Sequence, residues 1–416
     1  MKKDAGYRPR IVDAQLARML QAAGVVVVEG AKACGKTTTA LKLASSSVRL
    51  DRDRAMRVAG LADPTVLLPG EIPRLIDEWQ LVPQVWNAAR SEVDDRRAPG
   101  QFIFTGSATP ADDATRHSGA MRFIRIPMRP MSLAESGLGT SQVSLDHLWR
   151  GEAHVVSDRF STVDVADAIC RGGWPSHENL DTQTCQDLNE SYIRTVSSTD
   201  IVTVDGIRRD PRKVSALISA LGRNSATYVT NRRLQTDSAQ YGALIDPATI
   251  ASYLDALIRL WIVAEQPAWG GHLRSSAAAR KAPKRHLVDP SLAAAAMGAD
   301  PHDLMRDHEA FGQLFESLVF RDMVTYSQAS GLDVQAFQDG SGKEIDQVLV
   351  KGDRWAGVEV KLSQIPQVLD DAASGLINIA RRMTSDPRFL AIVTADGTAY
   401  TRPDGVHVIP LAALCP

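Results

Sequence analysis

Val25-Val26-Val27-Val28-Glu29-Gly30-Ala31-Lys32-Ala33-Cys34-Gly35-Lys36-Thr37-Thr38 is the stretch on which the fold turns. Val25 to Glu29 is an apolar, β-branched run suited to a strand buried on both faces. Gly30 to Thr37 then satisfies the spacing GxxxxGK[ST] in full. A helix, Lys36 to Ser45, is expected to lead out of it. The glycines let successive backbone N–H groups wrap phosphate oxygens without an intervening Cβ. The helix start adds the positive end of its dipole. Lys36 is expected to reach the β- and γ-phosphates of ATP, and the Thr37 hydroxyl to bind Mg²⁺. The expected nucleotide contacts are Gly30, Ala31, Lys32, Ala33, Cys34, Gly35, Lys36, Thr37 and Thr38. Cys34 reads first as a small filler of the loop, with a redox-sensitive thiol at a helix start as the alternative.

Outward from this loop, strand-like segments fall at Val48–Asp51, Arg74–Asp77, Gln101–Thr105 and Phe123–Pro127. Helix-like segments such as Gln84–Asp95 separate them, and the alternation implies an α/β domain with a parallel sheet. Arg74-Leu75-Ile76-Asp77-Glu78 is an apolar strand ending in an acidic pair. Asp77 is expected to hold Mg²⁺ through water, and Glu78 to orient and polarise the attacking water. Thr105 or Ser107, at the end of a further apolar strand, suits a hydrogen bond to that water or to the γ-phosphate; a plain turn is the alternative. Arg116 or Arg122 is a candidate arginine finger, in cis or from a neighbouring subunit of a homo-oligomer.

The 416 residues suffice for two to four domains. We divide them into an ATPase domain (1–140), a helical connection (141–210), a winged-helix-like domain (211–295) and a final α/β domain (296–416). A formal net charge of −2 excludes a globally basic nucleic-acid binder, though not local basic patches. Cys34, Cys170, Cys185 and Cys415 form no CxxC pair and suggest neither a zinc site nor a disulfide framework. No run approaches the ~20 apolar residues of a membrane span, and a cytoplasmic location is expected.

The 211–295 region offers three helix-like segments and a strand pair around a basic loop, Gly270 to Pro283. Arg208, Arg209, Arg212, Lys213, Arg232, Arg233, Arg274, Arg280, Lys281, Lys284 and Arg285 supply charge for phosphates, and a protein contact is the alternative use. In the tail, a helix (Phe311–Ser327) precedes strands at Asp333–Gln338, Ile345–Val350 and Trp355–Leu362, then a helix (Leu369–Met383) and a strand (Phe389–Thr394). Glu359 and Lys361, two apart, project from one face. A hairpin brings Asp346 alongside Glu359, and Glu316 on the preceding helix offers a third carboxylate. Glu316, Asp346 and Glu359 are therefore expected to hold Mg²⁺ or Mn²⁺, with Lys361 polarising a water or stabilising developing charge.

The chain resembles the prokaryotic AAA-type ATPases that carry a C-terminal domain of unknown function. Gly30–Thr39, Pro73–Gln80, Gln101–Ser107, Arg116–Gly119, Arg129–Leu133, Gly172–Pro175, Phe315-Glu316, Glu344–Asp346 and Glu359–Lys361 carry the resemblance. It implies an N-terminal ATPase, a helical and winged-helix middle, and a tail similar to PD-(D/E)XK nucleases. Many relatives place glycine before the arginine at 122, where this chain has Met121. The first functional reading is an ATP-driven enzyme on nucleic acid, DNA before RNA, whose tail cuts phosphodiesters. The second is an ATP-dependent switch with a non-cutting nuclease fold that binds DNA or a protein partner. A small-molecule kinase is a third, disfavoured by the Asp77-Glu78 pair.

Overall fold

The computed structural model describes residues 6–108, 118–152, 156–157, 160–271 and 282–416. The chain forms two compact units. The first comprises residues 1–130, 199–208 and 255–262, and the second 131–198, 209–254 and 263–416. The divisions expected from sequence run in simple order, whereas the chain returns twice to the first unit. One reason is visible there: Asp200 accepts a 2.7 Å bond from Lys32 of the glycine loop.

The first unit is built on strands β1 (Val25–Glu29), β2 (Ser46–Arg49), β3 (Arg74–Asp77), β4 (Phe102–Gly106) and β5 (Phe123–Pro127). They form one parallel sheet in the order β2-β3-β4-β1-β5. Every residue of β1, β3 and β4 is buried, in keeping with the apolar residues that dominate their middles, as in a parallel sheet covered on both faces. Helices Val12–Leu20, Lys36–Leu43, Arg54–Ala62 and Val85–Arg96 accompany the sheet. Trp79, Trp86, Phe102 and Phe104 anchor its core, with the Trp86 and Phe123 rings stacked at 3.9 Å. Parallel strands place all their carboxyl ends on one edge, where open α/β sheets bind ligands.

The second unit contains β6 (Val143–Ser144), β7 (Val156–Ser157), β8 (Val263–Gln266), β9 (Lys284–Leu287), β10 (Asp333–Gln338), β11 (Glu344–Lys351), β12 (Arg354–Lys361), β13 (Leu390–Thr394), β14 (Thr398–Thr401), β15 (His407–Pro410) and β16 (Leu414–Cys415). A mixed seven-stranded sheet runs β10-β11-β12-β13-β15-β14-β7. Helix His308–Ser330 leads into it and helix Pro366–Ala380 connects β12 to the parallel β13. Strands β8 and β9 pair antiparallel, with Gln266 opposite Lys284. The three helices expected before them are Pro211–Arg223, Asn231–Gln240 and Pro247–Arg259.

A fully buried ion triad pins four segments of this unit. Arg321 donates to Asp289 at 2.9 Å and pairs with Asp322 at 2.7 Å. Asp289 also accepts from Gly173 N, and Asp322 from Leu133 N. Gly173 leaves no room for a side chain, since a Cβ there would stand 2.1 Å from Met131 O. Among the described residues, no helix is long and apolar enough to cross a membrane.

Candidate functional site

The loop after β1 adopts the geometry its glycines permit. Gly35 has φ +106° and Ala33 φ +63°, conformations that turn successive N–H groups into one concavity. Gly30 passes so near Met128 that a Cβ would lie 2.0 Å from its carbonyl oxygen. Lys36 is buried at the start of its helix, and its ammonium donates to Gly30 O (2.9 Å) and Ala31 O (2.7 Å). Lys32 and Ala33 are exposed, as is Thr38. Cys34 is buried with its Sγ 3.5 Å from Met128 O, which is the filler role.

The acidic pair lies on the same edge. Asp77 is 1% exposed, and its Oδ1 accepts from Thr37 Oγ1 at 2.7 Å and from Thr105 Oγ1. Arg49 Nε donates to its Oδ2 at 3.2 Å. These contacts follow from register, because Arg49, Asp77 and Thr105 are direct neighbours across β2, β3 and β4. Glu78 leaves the strand in the left-handed conformation, φ +56°, which aims it differently from Asp77. Its Oε2 accepts from Ser107 Oγ at 2.9 Å and from Gln80 Nε2. Gly106 gives this clamp room, since a Cβ there would stand 2.9 Å from Trp79 Nε1. Thr105 and Ser107 thus each bond one of the two acids.

A hydroxyl beside a carboxylate is the hard-oxygen donor set that Mg²⁺ takes. The concave N–H loop with Lys36 suits a polyphosphate. The residues present therefore fit ATP and Mg²⁺.

Arg122 is placed elsewhere. Its carbonyl accepts from Val25 N, at the amino end of β1, and Phe123 neighbours Val25 across the sheet. Five residues of strand, about 16 Å, separate that end from the loop. The guanidinium pairs with Asp94 at 2.9 Å, so a finger acting in cis is excluded for Arg122. Met121 takes φ +67°, the backbone that a glycine would adopt freely. Arg116 lies outside the described residues.

Three contributors carry no local motif. Arg10 is buried and donates to Cys34 O and Arg129 O, both at 2.8 Å, bracing the loop from the segment just before helix Val12–Leu20. Arg49 and Gln80 hold the acids as described. Only the parallel pairing brings Arg49 to Asp77, and an arginine at a strand end has no signature of its own.

In the second unit, β11 and β12 pair with Gln347 opposite Val358, which sets Asp346 beside Glu359. Asp346 Oδ2 accepts from Val360 N at 2.8 Å, and Lys361 Nζ donates to Glu359 at 2.8 Å. The expected face therefore exists. Burial, reinforced by Asp346 and opposed by Lys361, pushes the Glu359 carboxyl up to about 8.

Glu316, Asp346 and Glu359 are not, among the described residues, a group whose donor atoms all lie within 4.8 Å of one another. Among the described residues, the three-residue group of acidic or imidazole ligands with donor atoms within 4.8 Å of one another is Asp300, His302 and Asp303, all exposed. Glu316 instead meets Lys284 Nζ at 2.8 Å, and that ammonium also lies 3.4 Å from Asp346 and 3.7 Å from Glu344. Burial drives the Glu316 carboxyl well above its ordinary value, aided by Asp346 and opposed by Lys284. Burial alone pushes the Lys284 ammonium down, but Asp346, Glu316 and Glu344 outweigh it and hold its pKa above that of an ordinary lysine.

The basic groups expected to face phosphates are partly spent on the protein itself. Arg209 is buried over the Tyr253 ring. Arg233 pairs with Asp237 at 2.9 Å, and Arg285 with Glu265 at 3.2 Å. Arg208, Arg212 and Arg232 are exposed; Arg274, Arg280 and Lys281 lie outside the described residues.

Residues 22–137 match the family model of the AAA domain. Residues 162–303 and 311–414 match two domains of unknown function, DUF8612 and DUF4143. The uncharacterized proteins Rv2008c of Mycobacterium tuberculosis and Mb2031c of Mycobacterium bovis are each 25% identical over 377 residues, covering 88% of this chain and 76% of the relative. The Walker-type ATPase Paby2304 of Pyrococcus abyssi aligns with 12% identity over 71% of this chain and 97% of its own, with a TM-score of 0.42. The domain match and the five-stranded parallel sheet agree: residues 22–137 are an AAA-type P-loop ATPase domain.

Proposed function

We propose that the first unit hydrolyses ATP, with Asp77 as the magnesium-side acid and Glu78 as the base that polarises the lytic water. The division of labour between two adjacent acids carries this reading. Asp77 is buried and accepts from Thr37, Thr105 and Arg49; a carboxylate fixed beside the Thr37 hydroxyl offers the paired hard oxygens that Mg²⁺ takes. Glu78 is half-buried, turned away by its backbone, and held on one oxygen by Ser107 and Gln80. Its other oxygen is the one available to a water. Thr37 and Asp77 would hold Mg²⁺, which would neutralise charge on the phosphates; Lys36 and the loop amides would bind the phosphates. A kinase needs no such second acid. Loss of turnover with retained ATP binding in Glu78→Gln tests the assignment.

For the second unit, we propose a nuclease-like domain that engages nucleic acid, DNA before RNA. Its element order, helix–three strands–helix–strand, with Asp346, Glu359 and Lys361 on one face, supports this. The spent arginines argue for a narrow contact rather than a broad basic surface. A DNA-stimulated ATPase that loses its stimulation at high salt is the expected result. Absence of DNA and RNA binding at low salt would transfer the reading to a protein partner.

A further inference from the structure

Lys284 does not behave as a surface lysine. Its side chain is 2% exposed and sits among Glu316, Asp346 and Glu344 at 2.8, 3.4 and 3.7 Å. The Tyr228 ring covers it, with Nζ 5.5 Å from the ring centroid. The Tyr228 hydroxyl is itself buried and, among the described residues, without a hydrogen-bond partner.

The strand that delivers Lys284 is fixed from several sides. Gln266, opposite Lys284, donates to Asp346 O at 2.8 Å and to Gln335 O at 2.9 Å. Its Oε1 lies 3.1 Å from His286 Nε2, and His286 Nδ1 lies 2.9 Å from Ser317 Oγ. Gln266, His286 and Ser317 are all buried, so the β8–β9 ribbon is locked to both the sheet and the helix carrying Glu316. Taking the Lys284 ammonium away would leave Asp346, 7% exposed, without its nearest cation, and a buried carboxylate left without a counter-charge is costly.

We infer that the Lys284 ammonium is a tethered counter-cation occupying the position between Glu316 and Asp346 that a divalent metal would need, so that this site works without a metal ion. A divalent ion requires oxygen ligands at about 2.0–2.6 Å, and the same oxygens here converge on nitrogen. The pair left within reach is Glu359 and Lys361, 14% and 33% exposed. The inference deepens the nuclease-like reading of the second unit, but it does not depend on nucleic acid being bound.

Mn²⁺ binding to the full-length protein without nucleotide, followed by electron paramagnetic resonance, decides it. Wild type and Asp346→Asn bind the same number of ions, since no ion depends on Asp346. Lys284→Met gains one ion, which Lys284→Met/Asp346→Asn loses. An Asp346-dependent ion in the wild type overturns the inference, as does a folded Lys284→Met that gains none. Lys284→Gln replaces the methionine variant if circular dichroism shows that the latter is unfolded, and the comparison of wild type with Asp346→Asn needs neither. A protein that binds no nucleic acid would give the same Mn²⁺ results, so the two readings fail separately.

Discussion

Replacing Glu78 with glutamine removes one negative charge and leaves the shape in place. The left-handed backbone at 78 and the Ser107 bond to one side-chain oxygen can both persist. Asp77 keeps its bonds from Thr37, Thr105 and Arg49, so the phosphate and magnesium side is untouched. A positioned general base contributes about 10²–10⁴-fold, or about 2.7–5.4 kcal/mol of barrier. Turnover measured by phosphate release should fall by that factor. Affinity for a fluorescent ATP analogue should stay the same or tighten by up to about fivefold, as one charge of the anion's own sign is gone. Ser107→Ala keeps the carboxylate and removes one of its two bonds, so its loss should be smaller, about tenfold. Turnover of Glu78→Gln within threefold of wild type, or an affinity loss that matches the rate loss, would refute the assignment of the base.

Arg122→Ala should leave turnover per chain within twofold when assayed at nanomolar protein, where a neighbouring subunit cannot contribute, because its pair with Asp94 is a surface contact worth about 0–1 kcal/mol; a tenfold loss there would contradict its placement. Arg321→Ala leaves Asp289 and Asp322 buried without their counter-charge, and urea unfolding of the second unit should show a loss of about 3–5 kcal/mol. Glu359 gives a pH signature: its folded pKa, near 8, exceeds the ordinary 4.5, so the folded state holds an extra proton between those values. Its contribution to stability is therefore full below about pH 4.5 and is lost as pH rises through 8. Glu359→Gln should lose less thermal stability than wild type between pH 5 and pH 8, and an equal or larger loss would remove Glu359 as the titrating group.

The first unit was legible because its chemistry is local. One glycine loop, its strand and its helix lie within Val25 to Leu43, and the acidic pair ends a strand whose burial its composition announces. The strand order was not legible. Placing β4 between β1 and β3 is what lets Thr105 reach Asp77 and Ser107 reach Glu78. From sequence, the two residues were alternatives for one task, the water or the γ-phosphate. The fold gives each an acid to hold. For Arg122 the cis placement was not legible for a related reason: an arginine's spacing from a strand says nothing about which edge of the sheet it stands on.

The tail shows the limit more sharply. Asp346, Glu359 and Lys361 lie on two adjacent strands, so alternation and one hairpin place them on a common face. Lys284 arrives from 62 residues before Asp346, on a strand reading Lys-Arg-His-Leu whose composition suggests a wet loop edge. Only the pairing of Gln266 with Lys284 turns Lys284 and His286 inward together and leaves Arg285 to meet Glu265. A buried carboxylate, Asp346, with the partly buried Glu316 beside it and Glu344 at the rim, implies that some cation sits among them, because their mutual repulsion in a poorly solvated site is otherwise costly. Counting carboxylates cannot say whether that cation is bound from solution or built into the chain. The deciding quantity is a distance across the fold, and here it is 2.8 Å from Lys284 Nζ to Glu316.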